Sequence, residues 1–110
     1  MIDETLAARV THALQLAGLP RVSRESNPAG GFGIQLAEEV LYVVWNPAPE
    51  LSETVFQKMT SNDIEHPAVL QSGLIEQTMS QAILTILLSA GINARMSVND
   101  LTPATVEVSP

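Results

Sequence analysis

Two short groups of side chains in this sequence could do chemistry. Asp63, Glu65 and His66 bring three kinds of metal ligand together within four residues, and Glu38 and Glu39 form a carboxylate pair. A mononuclear metal site needs three or four ligands that converge on one point, and an acid–base pair needs surroundings that drive two pKa values apart. The first group lacks the spacing of a helical metal motif, so helix-start capping is the better interpretation. The second group lies at a predicted hairpin tip, where we expect both carboxylates to be exposed and therefore do not expect an acid–base pair.

Other catalytic and cofactor-binding patterns are missing from the sequence. It contains no cysteine, which excludes a thiolate nucleophile, a cysteine zinc site and a disulfide framework. The glycine-rich stretch over residues 30–33 precedes a predicted strand, whereas a phosphate-binding loop opens a helix. His12 falls on the polar face of a predicted helix. We therefore predict no catalytic residue, no cofactor and no metal, and expect a non-enzymatic protein.

Charge and length restrict the classes of partner. The 110 residues are enough for one domain, and a net charge of −7 comes from 12 acidic against 5 scattered basic residues. Binding of nucleic acid needs a cationic face, so nucleic acid is not an expected partner. The most apolar run, residues 82–90, is too short to span a bilayer, and no basic leader precedes an apolar stretch. We expect a cytoplasmic protein that does not bind membranes.

Capping residues and breakers predict the helices. The first helix begins after Asp3, a suitable N-cap, and ends at Gly18, which favours the left-handed conformation found after many helices. Its apolar stripe has helical spacing: Leu6, Val10, Ala13, Leu14 and Ala17. The longest helix runs from Pro67, which suits the first helical position, to the residue before Gly91. Residues 47–65, just before the longest helix, form either a short amphipathic helix or a packed loop.

Alternating and continuous apolar runs predict the strands. Phe32, Ile34 and Leu36 alternate with small or polar residues, which indicates a half-buried strand. Residues 40–45 are apolar on both faces and predict a central strand that is covered on both sides. A further strand is possible over 21–25, and two short strands are expected over 93–98 and 105–109. The order α-β-β-β-α-α-β-β predicts a small two-layer α+β sandwich, with two main helices on a mostly antiparallel sheet of four or five strands.

The helix over residues 67–90 carries more apolar surface than one packing face needs. At about 100° per residue, its core face is expected to centre on Met79 and Ile86. Almost opposite lies a second stripe of three leucines, Leu70, Leu84 and Leu88, which is interleaved with Gln77 and Gln81. The predicted interface residues are this stripe, the two glutamines and Trp45. On the central strand, Trp45 is either a core residue or an interface anchor. Two covers are possible for the stripe, namely the segment Leu51–Met59 of the same chain or the same stripe of a second copy.

In element order, size and acidity the chain resembles the small acidic type III secretion chaperones, which work as homodimers. The resemblance implies a helix, three strands, a long helix and two strands. Those chaperones usually carry a closing helix beyond the last strand, whereas the printed sequence ends at Pro110. The predicted function is a cytoplasmic protein-interaction module, chaperone-like or adaptor-like, whose partners are a second copy of itself and another protein.

Two other functions stay open. An acidic inhibitor or immunity-type protein would direct its carboxylates at a basic partner. Such a protein would gather these acids on one face: Glu38, Glu39, Glu50, Glu53 and Asp100. A small-molecule-binding domain would instead hold a pocket between helix and sheet near Tyr42, Trp45 and His66.

Overall fold

The computed structural model describes residues 4–23, 30–98 and 104–110, and within them three helices pack on a four-stranded antiparallel sheet. In chain order the elements are α1 (Glu4–Leu16), β1 (Gly31–Leu36), β2 (Leu41–Asn46), α2 (Pro49–Thr60), α3 (Pro67–Ser89), β3 (Ala94–Met96) and β4 (Val106–Val108). The predicted α+β class is confirmed. In the described part of residues 21–25, Arg21 makes only an isolated parallel bridge to Phe32 in place of a further strand.

The sheet has the strand order β1-β2-β4-β3, and each neighbouring pair is antiparallel. β2 is an interior strand, as predicted, but its two faces differ in burial. Leu41 and Val43 are fully buried, whereas Tyr42 and Val44 are half-buried. The expectation of full cover on both faces is therefore wrong, because the core residues of α1 and α3 pack against the Leu41 side.

The core lies between the sheet and the helices α1 and α3. Its main members are Leu6, Val10, Leu14, Phe32, Leu41, Val43, Ile83, Leu87, Val106 and Val108. Three residues of the predicted α1 stripe are thus confirmed as core residues. Gly18 follows α1 with a φ of 89°, and the amide of Leu19 donates a hydrogen bond to the carbonyl of Leu14 at 3.1 Å. The predicted cap Asp3 lies outside the described residues.

The segment between β2 and α3 is a helix. Pro49 occupies the first turn of α2, where its missing N–H leaves no helical hydrogen bond unmade. α2 packs beside α3, but each of its side chains keeps some exposure. Phe56 and Met59 remain 72% and 55% exposed. α2 therefore contributes contacts to α3 without supplying residues to the buried core.

α3 runs without a break from Pro67 to Ser89 and passes through Gly73 as regular helix. Its buried residues are Ala68, Ser72, Ser80, Ile83 and Leu87. This face is rotated by roughly 50° from the predicted one, at about 100° per residue. Met79 and Ile86 are half-buried at the edge, so the prediction that they centre the core face is wrong. Apolar residues surround α3 almost evenly, and their pattern therefore gives little indication of which side meets the sheet.

Within the ranges that the structure describes, no helix combines the length and apolar character needed to cross a membrane.

Candidate functional site

The side of α3 opposite its buried residues is uncharged and carries exposed leucines beside two glutamines. We call it the outer face and define it by five exposed residues: Leu70, Leu74, Gln77, Gln81 and Leu88. The three leucines keep 63%, 63% and 53% of their surface exposed. Complete burial of one leucine side chain stabilises by about 1.5–3 kcal/mol. A partner that covers the outer face would therefore gain a substantial hydrophobic free energy.

The first half of the outer face borders a shallow apolar groove of about 570 Å³. The groove is lined by α3 residues between Pro67 and Met79, among them Leu70, Leu74 and Ile75. It is open to solvent along one side. Small-molecule sites usually enclose most of their ligand, whereas an open groove along a helix suits the side chains of a second packed helix.

The structure distributes the predicted interface residues over two surfaces. Leu70, Gln77, Gln81 and Leu88 all lie on the outer face. Leu84 is half-buried and packs against the core, because the rotation of α3 turns this position towards the sheet.

Trp45 is half-buried on the core face of β2, and it also packs against the core. It belongs to the same side of the strand as Leu41 and Val43, which are fully buried. The described structure thus places Trp45 away from the outer face of α3.

Leu74 belongs to the outer face although a projection centred on Met79 and Ile86 does not single it out. The signal that identifies it is the spacing of its neighbours. Leu70, Leu74 and Gln77 are separated by steps of four and three residues. Such steps keep side chains in one line along a helix.

α2 does not cover the outer face. It contacts α3 through one side, yet Leu70 and Leu88 remain more than half exposed. The two apolar side chains of α2 that were candidates for such a cover, Phe56 and Met59, are themselves exposed. Within the described residues, the alternative in which the segment Leu51–Met59 covers the stripe is therefore wrong.

His66 acts at the start of α3 as the cap residue. Its Nδ1 accepts a hydrogen bond from the amide of Ala68 at 3.1 Å, which satisfies one donor of the first helical turn. Asp63 and Glu65 beside it are exposed, as is His12 on α1. Across residues 4–23, 30–98 and 104–110, no three His, Asp or Glu side chains come together in a way that could hold a metal ion. The capping interpretation of His66 is confirmed.

The four described carboxylates of the inhibitor hypothesis lie at opposite ends of β2. Glu38 and Glu39 occupy the exposed tip between β1 and β2, and Glu50 and Glu53 lie in the first turns of α2, just beyond the other end. A six-residue strand spans about 20 Å. These four acids do not form one patch, and Asp100 lies outside the described residues.

A second groove, of about 750 Å³, lies on the sheet beside β1. Its walls include Val22, Gly33, Val44 and Asn46. The side-chain amide of Asn46 donates a hydrogen bond to the carbonyl of Gly31 at 3.4 Å, so it already has a partner within the chain. The residues around which a ligand pocket was expected, Tyr42, Trp45 and His66, do not line this groove.

Glu76 is the single charged residue of α3. It lies seven residues before Ile83, on the buried side of the helix, and it is half-buried. Burial raises the pKa of Glu76 above its ordinary value, because the carboxylate loses part of its hydration. The outer face therefore presents no charge of its own, on a chain whose net charge is −7.

Comparisons with protein-family models, with curated protein sequences and with solved structures give no match for this chain. The likeness to type III secretion chaperones in element order and acidity stays a prediction.

Proposed function

We propose that this chain is a non-enzymatic, cytoplasmic protein-interaction module that self-associates as a homodimer through the outer face of α3. The observation that supports the proposal is the exposure of Leu70, Leu74 and Leu88 on one uncharged side of the longest helix. A homodimer of this kind would present the rest of its surface to a further protein partner.

The first argument is the apolar surface itself. Monomeric proteins seldom expose contiguous apolar patches of more than a few hundred Å², and larger patches usually mark interaction sites. Leu70 and Leu74 are contiguous with Ile75 and Met79 along the groove of about 570 Å³. Scattered exposed leucines occur on any protein, but a line of them beside a groove favours docking of another apolar surface.

The second argument is charge. Two copies of a chain with a net charge of −7 repel each other, so their contact has to exclude carboxylates. The outer face meets this condition because Glu76, the one acid of α3, lies on the buried side. A basic partner would find no carboxylate to pair with on this surface. The outer face thus fits a second copy of this chain better than it fits a cationic protein.

The oligomeric state tests the proposal. Sedimentation equilibrium should be run on the wild type and on Leu74→Glu, with Leu16→Glu as the matched control. Leu16 is 76% exposed at the end of α1, so both variants add the same charge at an exposed leucine. An interface confined to one helix per chain lies near the lower limit of about 1,200 Å² for specific complexes, and we expect a micromolar dimer.

The expected result is a dimer for the wild type and for Leu16→Glu, and at least a tenfold weaker dimer for Leu74→Glu, because a carboxylate would be desolvated in the contact. A wild type that stays monomeric at about 0.5 mM, well above a micromolar Kd, would contradict the proposal. Equal weakening by both variants would place the contact on another surface.

A further inference from the structure

We infer that the surface that covers the outer face is the same face of a second copy, with the two α3 helices antiparallel about a two-fold axis at the level of Met79. Leu70 then packs against Leu88 of the second copy, Leu74 against Leu84 of the second copy, and Gln77 against Gln81 of the second copy. The inference rests on the proposed self-association and adds the orientation and register of the contact.

The spacing of six residues on α3 indicates that this helix packs along a second helix. Leu70, Leu74, Gln77, Gln81, Leu84 and Leu88 follow one another in steps of four, three, four, three and four residues. Steps of three and four residues are the repeat found in helices that pack side by side. An average step of 3.5 residues keeps successive side chains directed at the partner helix. We call these six residues the seam; it consists of the outer face and Leu84 at its edge.

The order of residue types along the seam indicates that the two helices are antiparallel. Along the seam the types read Leu, Leu, Gln, Gln, Leu, Leu, and the same order is read in the reverse direction. A two-fold axis perpendicular to a helix places the second copy in the reverse direction. In such an antiparallel pair, leucine meets leucine and glutamine meets glutamine only if the order of residue types is symmetric about the centre of the seam. A parallel pair has no need of that symmetry. The centre of the seam is at Met79.

Differences in exposure along the seam favour the antiparallel pairing. Leu70 and Leu74, in the first half, are each 63% exposed, whereas Leu84, in the second half, is half-buried against the core. An antiparallel pair places the protruding Leu74 opposite the recessed Leu84 of the second copy. A parallel pair would place two recessed Leu84 side chains opposite each other, where neither extends across the gap.

The central glutamines fix the register. A glutamine amide carries both donors and an acceptor, so Gln77 and Gln81 of the second copy satisfy each other when they meet. A shift by one repeat would bury amides against leucines without hydrogen-bond partners, which is unfavourable. Polar residues at seam positions set the register of paired helices in this way, at a cost in affinity.

Disulfide trapping tests the orientation directly, because the chain has no cysteine of its own. Leu70→Cys and Leu88→Cys are prepared on chains of different mass, mixed under mild oxidation and separated without reductant. In the antiparallel pair these two positions face each other within the roughly 7 Å between Cα atoms that a disulfide tolerates. Leu70 and the same residue of the second copy lie about 27 Å apart along the helix axis, at about 1.5 Å per residue. The mixture should form the mixed disulfide, and Leu70→Cys alone should form none.

A second pair of variants leaves the seam leucines in place, because replacing a leucine could itself weaken the dimer. Gln77→Cys and Gln81→Cys replace exposed polar residues near the centre of the seam, and their mixture should also form the mixed disulfide. Leu16→Cys on α1 is the control and should not crosslink beyond random collision. Efficient crosslinking of Leu70→Cys to itself would overturn the antiparallel register while leaving self-association intact. A wild type that is monomeric in sedimentation, with no specific crosslink from either pair, would overturn both the register and the proposed function.

Discussion

The hydroxyl of Ser80 donates a hydrogen bond to the main-chain carbonyl of Ala104 and joins the middle of α3 to the turn that precedes β4. Ser80 is fully buried, and Ala104 has a φ of 56°, a left-handed conformation that non-glycine residues seldom adopt. The bond therefore holds an unfavourable turn in place at the point where the chain enters the sheet beside β2.

Ser80→Ala should lower the free energy of unfolding by about 1–3 kcal/mol, because the carbonyl of Ala104 loses its donor in a partly buried setting. Thr85→Ala is the matched control, since Thr85 is exposed on α3 and its hydroxyl donates a hydrogen bond to the carbonyl of Gln81 within the same helix. We expect that control to change stability by less than about 0.5 kcal/mol. Urea unfolding measures both. Equal losses for the two variants would show that the contact with the turn contributes nothing.

Glycine positions give a second pair of opposite expectations. Gly31 has a φ of 153°, and a Cβ there would collide with the carbonyl oxygen of Pro20. Gly73 lies within α3, and a Cβ there meets open space. Gly73→Ala should therefore stabilise the fold by about 0.5–1 kcal/mol, whereas Gly31→Ala should destabilise it by more than that. Thermal unfolding of dilute protein compares them, and a stabilising Gly31→Ala would contradict the packing seen at β1.

The bounds of the elements follow from local chemistry, and the sequence therefore predicts them well. Gly18 ends α1 because it takes a positive φ without steric cost, and Pro67 begins α3 because the first turn needs no donor there. Val106 and Val108 are buried on either side of a half-buried glutamate, which is the alternation of a strand and agrees with the strand expected over 105–109. Each of these residues acts on its immediate neighbours, which a sequence pattern records.

The rotation of α3 depends on contacts that are distant in the sequence, and there the prediction fails. The helix is apolar almost all round, so several rotations would bury a similar amount of apolar surface. The choice is made by the sheet, which takes Ile83 and Leu87 into the core and leaves Met79 at the edge. The candidate site shifts with it: Leu84 moves towards the core, and Leu74 joins the outer face.

Glu76 should make the folded chain less stable at neutral pH, where its carboxyl is ionised, than in acid. A carboxyl whose pKa is higher in the folded chain than in the unfolded chain favours folding when protonated and opposes it when ionised. Glu76→Gln should therefore raise the melting temperature at neutral pH, and the gain should vanish below about pH 4, where the unfolded carboxyl is also protonated. Glu53→Gln, at an exposed position on α2, should change little at either pH. Melting curves at both pH values decide, and a gain that grows on acidification would contradict the burial of Glu76.

The seam glutamines should lower the affinity of the dimer while they set its register. Gln77→Leu with Gln81→Leu would replace two amide layers by leucine layers, so we expect a dimer at least tenfold tighter, or about 1.4 kcal/mol. The same change should let the helices slip, because uniform leucines no longer distinguish one register from the next. Sedimentation measures the affinity. Disulfide trapping between Leu70→Cys and Leu88→Cys, placed in the leucine background, should then give a lower yield of the mixed product.

Gln57→Leu on α2 is the control for added hydrophobicity, since Gln57 is exposed and lies off the seam. It should leave the dimer constant within about twofold, the change expected for a residue outside the contact. If the double leucine variant binds no more tightly than Gln57→Leu, the two glutamines do not lie opposite each other in the dimer. A tighter dimer with an unchanged yield of the mixed disulfide would mean that the leucines alone set the register and that the amides are dispensable for it.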